Sequence, residues 1–219
     1  MSADPRQTAI DAIARHRVVG VIRAKDAAEA VWAAETTVAG GHPLVEITLT
    51  TPGAYEAIAQ LRDMPGVTVG AGTVLDEAMA RQAIKAGAQY LVSPHTDPAI
   101  IHLCRDWGVL VAAGAATPTE ALNASRYGAD IIKIFPAETL GGPRFLKLLL
   151  DPLPWLKLMP TGGVTLDTLE AYFQAGAHAA GVASVLYDKE TMRRRDEDTL
   201  LAKVQKLRQS LPVLSGQVS

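Results

Sequence analysis

Residues 109–136 read VLVAAGAATPTEALNASRYGADIIKIFP. A short apolar run (109–115) gives way to Thr117-Pro118-Thr119-Glu120. That is a capping-box pattern with proline at the first helical position. An Ala-rich segment of helical period follows and ends at Tyr127-Gly128-Ala129, where glycine permits the left-handed turn that closes a helix. A second β-branched run, residues 131–136, then begins. The whole is one strand, one capped helix and one strand, with both strands apolar on both faces. Such strands lie parallel in a sheet covered by helices.

The same unit recurs along the chain. Apolar β-branched runs occupy 18–24, 44–49, 67–73, 90–94, 109–115, 131–136, 156–163 and 179–186, with starts 19 to 26 residues apart. Between them lie Ala-rich segments such as DAAEAVWAAETTVAGG and DEAMARQAIKAGA. Glycine turns precede strands at 39–41, 86–88, 127–129 and 175–177, and Asp26, Asp97, Thr117 and Thr165 are expected helix N-caps. Eight βα units predict an α/β fold, a closed (β/α)8 TIM barrel, with an extra N-terminal helix over residues 3–16 closing its lower end. A doubly wound open sheet is the rival architecture. It would carry a Gly-rich loop after the first strand, but that strand ends in IRAKD. Residues 1–219 are expected to form one domain with no linker.

Composition narrows the function. Of the 219 residues, 48% are hydrophobic but only 5% aromatic, so the core must be aliphatic. Formal net charge is −2, from 21 basic and 23 acidic side chains, which favours neither nucleic acid nor an anionic membrane as a partner. The one basic run, Arg193-Arg194-Arg195, meets Asp196, Glu197 and Asp198 at once and is expected to be a solvated loop or helix start. The lone Cys104 excludes an intrachain disulfide and a zinc–cysteine cluster, and its apolar neighbours at helical spacing predict a buried thiol. The N-terminus lacks an apolar signal region, and no stretch approaches the ~20 apolar residues of a membrane span, so a soluble cytoplasmic protein is expected.

In a barrel, chemistry collects at the C-terminal ends of the strands. Alternation sends Lys133 inward with Ile131 and Phe135, while Ile132 and Ile134 face the helices. It likewise sends Glu46 inward with Leu44 and Thr48. Arg23 and Thr73 fall at the ends of the first and third strands. One reading is a structural Lys133–Glu46 ion pair. The other is chemical. An apolar barrel lowers a lysine pKa, the neutral amine attacks a ketone to give a Schiff base, and a neighbouring carboxylate carries the protons. A second constellation is Gly162-Gly163 in PTGGVT, with Ser184 near the end of the eighth strand, where many barrels bind phosphate through backbone N–H groups. His95 is expected to be a surface-loop residue. His16, His42, His102 and His178 show no ligand-like spacing.

Taken together, GVIRA, LVEITLTTP, VGAGTVLD, YLVSPHTD, IIKIFPAE, PTGGVT and GVASVL, in that order over about residues 18–187, resemble the 2-keto-3-deoxy-6-phosphogluconate aldolase family, which includes 4-hydroxy-2-oxoglutarate aldolase. The resemblance implies a homotrimer of barrels with no metal and no cofactor, acting on a small 2-keto acid phosphate. It implies Lys133 as the Schiff-base lysine and Glu46 as the acid/base. Thr73 and Pro94 would line the pyruvyl pocket, with Phe135 beside the lysine. Gly162, Gly163 and Ser184 would hold the phosphate. Thr161 is similar to the residue that favours the gluconate over the galactonate epimer.

Three positions depart from the family pattern. Thr50 stands where some members have an arginine for the pyruvate carboxylate; other members use one on strand one in a sequence like IRA, so the resemblance implies Arg23, whose guanidinium fork matches a carboxylate, as the clamp. Ala183 replaces a glycine of the phosphate cup, and Ala113-Gly114 replaces Pro-Gly after strand five. Three alternatives stay open: the same chemistry on 4-hydroxy-2-oxoglutarate or the galactonate epimer, a non-covalent phosphate-binding isomerase or synthase, and a non-catalytic assembly subunit.

Overall fold

Parallel strands cannot be joined by tight hairpins, so each must be followed by a crossover, and here every crossover carries a helix. A computed structural model describes residues 5–211. Helix α1 (Pro5–His16) precedes β1 (Val18–Ile22). There follow α2 (Ala27–Ala39), β2 (Leu44–Thr48), α3 (Ala54–Leu61), β3 (Thr68–Gly72), α4 (Glu77–Ala86), β4 (Tyr90–Val92), α5 (Pro98–Asp106) and β5 (Leu110–Ala115). Next come α6 (Pro118–Tyr127), β6 (Ile131–Ile134), α7 (Pro143–Leu150), β7 (Leu158–Pro160), α8 (Leu166–Gln174) and β8 (Ala180–Val182). Helices α9 (Lys189–Arg194) and α10 (Glu197–Ser210) end the described chain. The strands pair in parallel in the order β7-β6-β5-β4-β3-β2-β1-β8, and a bridge between Thr161 and Gly181 joins the two ends of the ladder. The sheet is thus a (β/α)8 barrel, as the repeat predicts.

Strand parity divides the core in two. Val45, Ile47, Ile132, Ile134 and Leu158 face the helix layer. Val19, Leu44, Tyr90, Val92, Leu110, Ala112, Ile131 and Met159 fill the barrel, and Ala9 and Ile13 of α1 pack into the same cluster, closing its lower end. Arg6 of α1 also bonds Asp130, which accepts from the Val111 N–H at 3.0 Å. The extra helix is therefore held by both apolar and ionic contacts.

The expected helix caps form. Asp26, Asp97, Thr117 and Thr165 each accept a backbone N–H of the first turn. Glu120 reaches back to the Ala116 N–H and the Thr117 hydroxyl, and a reciprocal box forms between Thr165 and Thr168. Gly87, Gly128 and Gly176 adopt the left-handed conformation at or just after helix ends.

The structure differs from expectation in three places. The Arg193–Arg195 run does not start a helix: it ends α9, where cations suit the negative end of the helix dipole, and Asp196 then caps α10. β7 is only Leu158–Pro160, so Gly162 and Gly163 lie in the loop beyond it. β8 stops at Val182, which leaves Ser184 two residues past the strand, in an exposed turn. Cys104 is buried as expected, and burial pushes its thiol up to about 12. Among the described residues, no helix is long and apolar enough to cross a membrane.

His42 ties the lower end of the barrel together. It is 1% exposed, and its Nε2–H donates to the Val18 carbonyl at 2.8 Å. Burial depresses its pKa from 6.5 to about 4. A folded state that refuses a proton the unfolded chain accepts is fully stabilised above pH ~6.5 and loses stability as pH falls towards ~4. The loss at this one site is about 3 kcal/mol. His16 and His178 are shifted in the same direction. Urea melts at pH 7 and pH 4.5 should show this drop, and His42→Gln, which keeps a donor for Val18, should reduce it.

Candidate active site

Four inward-facing positions on the strands are glycine, and each leaves a hollow that another group fills. A Cβ on Gly70 would overlap the Tyr90 ring, one on Gly72 the Glu46 carboxyl, one on Gly114 the Pro94 carbonyl, and one on Gly181 the Thr161 hydroxyl. The Tyr90 hydroxyl donates to the Val45 carbonyl at 2.7 Å, which pins the ring inside the barrel. Glu46, in register with Gly70, lies across Gly72 towards the C-terminal mouth.

Lys133 and Glu46 both point into this interior and are 5% and 1% exposed. They form no ion pair with each other, and Glu46 Oε1 has no hydrogen-bond partner among the described residues. The closed structural ion pair weighed from the sequence is thus not what the barrel holds. Burial pushes the Glu46 carboxyl up, against the opposing charges of Lys133 and Arg23. Burial pushes the Lys133 ammonium down; Glu46 opposes that shift and Arg23 adds to it. Each group is driven towards its neutral form, an amine beside a carboxylic acid.

The remaining side chains ring this pair. Lys133 Nζ lies 5.0 Å from the centroid of the Phe135 ring, which is 39% exposed at the mouth. Arg23 follows β1 directly, is exposed, and its charge acts on both Lys133 and Glu46. Thr73, just past β3, has φ 57°, a left-handed conformation that is an outlier for a β-branched residue and that clusters at functional sites. Gly114 pairs with Lys133 across β5 and β6. Its N–H donates to the His95 carbonyl at 3.2 Å, and its own carbonyl accepts from Thr96 Oγ1 at 2.8 Å. The β4 loop therefore folds over the strand next to the lysine, with the Pro94 carbonyl in the inward hollow. This supplies a physical reason for glycine at position 114. His95 is exposed, and its Nδ1 meets Ser93 Oγ at 3.1 Å. At the end of β2, Thr50 bonds Thr48, and Thr51 accepts the Ala24 N–H, so hydroxyls brace the base of the Arg23 loop.

The loop after β7 is the second part. Gly162 and Gly163 have φ 88° and 81°, conformations that L side chains rarely adopt. Gly162 backs on to the Phe135 ring, and the Glu138 side chain lies across Gly163. Thr161 is buried and its Oγ1 has no partner among the described residues. Ser184 stands in an exposed turn just past β8, and its hydroxyl makes no hydrogen bond among the described residues. Residues that strand reading missed are Gly72, Gly114 and Gly181, whose signal is glycine at inward parity, and Glu138, which carries none.

Residues 10–204 match the family model described as KDPG and KHG aldolase. A 2-dehydro-3-deoxy-phosphogluconate aldolase of Treponema pallidum (strain Nichols) is 39% identical over 166 residues, 75% of this chain and 79% of that protein. A 2-dehydro-3-deoxy-6-phosphogalactonate aldolase of Escherichia coli (strain K12) is 32% identical over 78% of this chain and 84% of its own length. The crystal structure of KDPG aldolase from Legionella pneumophila, with pyruvate captured at low pH as a covalent carbinolamine intermediate, superposes with a TM-score of 0.84 at 27% identity, covering 90% of this chain and 96% of that one.

The electrostatics carry a direct test. Competitive acylation against pH, read by peptide mass spectrometry, should give Lys133 a midpoint below that of an ordinary lysine, about 10.4. In Glu46→Gln the midpoint should fall further, because the one influence holding it up is gone. A midpoint that rises in that variant would contradict the arrangement.

Proposed function

The chain belongs to the KDPG and KHG aldolase family, and we propose that Lys133 and Glu46 carry that family's chemistry here. The protein is a pyruvate aldolase, a lyase, and its reading as a class I enzyme for 2-keto-3-deoxy-6-phosphogluconate rests most on one observation. A buried lysine driven towards its free amine sits in the same barrel interior as a buried carboxyl with an unpartnered oxygen.

The steps follow from those two protonation states. The neutral Lys133 amine adds to the C2 ketone, and the carbinolamine loses water as Glu46, in its acid form, protonates the departing hydroxyl. The resulting carboxylate takes the C4 hydroxyl proton through a water. The C3–C4 bond breaks, its electron pair enters the iminium, and glyceraldehyde 3-phosphate leaves. Glu46 returns the proton to the enamine carbon, and water releases pyruvate and the free amine.

Arg23 clamps the keto-acid carboxylate, because its guanidinium offers a bidentate fork at the mouth. Thr73 and Pro94 bound the pyruvyl pocket, and Phe135 excludes water beside the lysine. The orphaned Thr161 hydroxyl meets a substrate hydroxyl. The Gly162 and Gly163 N–H groups, with Ser184, take the phosphate. No metal or cofactor has a part in these steps. Residues 1–219 act as one catalytic domain in the cytoplasm. The family resemblance is what supports a homotrimer, which light scattering would report as three times 23.2 kDa.

A second reading has two observations in its favour. The Glu138 carboxylate lies across Gly163, and Ser184 faces solvent, so the phosphate cup is weakly built. That favours a 2-keto acid with less demand for phosphate, such as 4-hydroxy-2-oxoglutarate. Ratios of kcat/KM for the gluconate, the galactonate epimer and 4-hydroxy-2-oxoglutarate decide between them.

Borohydride reduction in the presence of pyruvate should leave a stable adduct on Lys133, located by mass spectrometry. Lys133→Ala should have no turnover, and Glu46→Gln should lose about 100- to 10,000-fold in kcat, the range for a positioned acid/base group. Folded protein that forms no adduct would overturn the imine mechanism.

A further inference from the structure

The inner row of the barrel that holds Glu46 also holds an aromatic ring. Glu46 of β2 pairs with Gly70 of β3, and Gly70 pairs with Tyr90 of β4. Tyr90 is fully buried, in the cluster that fills the barrel. Its ring leans across Gly70, where any Cβ would collide with it, and its hydroxyl donates to the Val45 carbonyl at 2.7 Å. That carbonyl belongs to the peptide group whose N–H is Glu46's own. The ring therefore reaches from β4 over β3 to the root of the Glu46 side chain. Burial pushes the Tyr90 hydroxyl well up, and the charge of Glu46 adds to that shift, as it does between near neighbours.

Two hollows follow one another on the inward face of β3. Gly70 and Gly72 share that face and stand roughly 7 Å apart along the strand. The Tyr90 ring takes the hollow level with Glu46, and the Glu46 carboxyl takes the one nearer the mouth. With the Gly70 hollow empty, a flexible side chain at position 46 would have two resting places. With it filled, the upper one is left. The Tyr90 proton is committed to Val45, so the ring directs Glu46 without bonding it, and Oε1 keeps no partner among the described residues.

Filling the core does not account for this arrangement. Val92 and Leu110 occupy the same interior as aliphatic side chains. Neither needs a glycine to lie over or a carbonyl to bond.

Resting on the assignment of Glu46 as proton carrier, we propose that Tyr90 is a positioning residue for it: the ring fills the Gly70 hollow and so turns the Glu46 carboxyl into the Gly72 hollow, towards the mouth and the substrate.

Proton exchange at the pyruvate methyl group in D2O, followed by NMR on the full chain, reads the enamine step without an aldehyde partner. Tyr90→Leu should lower kcat for exchange about 100-fold, the scale for a catalytic group displaced by about 1 Å, with KM for pyruvate nearly unchanged. Tyr90→Phe, which keeps the ring, should retain most of the rate. On a Glu46→Gln background, Tyr90→Leu should cost no more than about twofold, because a residue that acts through Glu46 then has nothing to position. Should Tyr90→Leu fail to fold by circular dichroism, Tyr90→Met carries the same test. Full rate in Tyr90→Leu, a loss that multiplies undiminished on to Glu46→Gln, a Phe variant as damaged as the Leu one, or unfolding of both the Leu and Met variants would overturn the proposal and leave Tyr90 a core residue. Wild-type protein that exchanges no pyruvate protons, or Glu46→Gln at the wild-type rate, would remove the acid/base reading first and this role with it.

Discussion

Taking an ammonium and a carboxylate out of water costs on the order of several kcal/mol per ion unless a close pair repays it. In this barrel Glu46 and Lys133 share the interior without closing into a pair. The cost is met instead by movement of both groups towards their neutral forms. Much of the surrounding architecture serves that state. Ile131, Met159, Leu110 and Tyr90 keep the layers below dry. Glycines at inward positions keep space open where the groups meet, and the Gly72 hollow admits the whole end of the Glu46 side chain. An alanine at any of these positions would push a functional group aside.

The two ends of the barrel divide the work. At the C-terminal end, strands stop early and loops carry unusual backbone: left-handed Thr73, Gly162 and Gly163. Such conformations persist only where the surrounding structure over-determines them. Backbone bonds on either side provide that support: the Leu49 N–H donates to the Gly72 carbonyl, the Val74 N–H to the Val92 carbonyl, and the Glu138 N–H to the Gly162 carbonyl. At the N-terminal end, α1 plugs the barrel, and His42, Arg17 and Asp130 tie helix ends to strand starts. The first end is open and chemically poised; the second is closed and braced.

Sequence reading succeeded where the information was local. The Thr117-Pro118 start and the Gly128 stop mark α6 because capping and glycine turns act within a few residues. Lys133 and Glu46 were legible as inward because side chains alternate along a strand whatever the strand pairs with. It failed where neighbours in space decide. Arg193–Arg195 ends a helix because α9 and α10 abut there, which no run of charge announces. The end of β8 at Val182, two residues before Ser184, carries no local mark either. Gly114 gained a reason only once the Pro94 carbonyl was seen to occupy its hollow.

By itself, then, the sequence determined eight βα units, the starts of the helices capped by Asp26, Asp97, Thr117 and Thr165, and which side chains enter the barrel, since each depends on periods of 2 and 3.6 residues and on caps a turn long. The family followed from motifs in a matching order. Tertiary structure alone decided that Glu46 and Lys133 approach without pairing, that Thr161 and Glu46 keep unpartnered oxygens, and that the Tyr90 ring and the Glu46 carboxyl take separate hollows on one strand. Those are distances between residues far apart in the chain. They are set by register and by barrel closure, and neither is written in any local stretch.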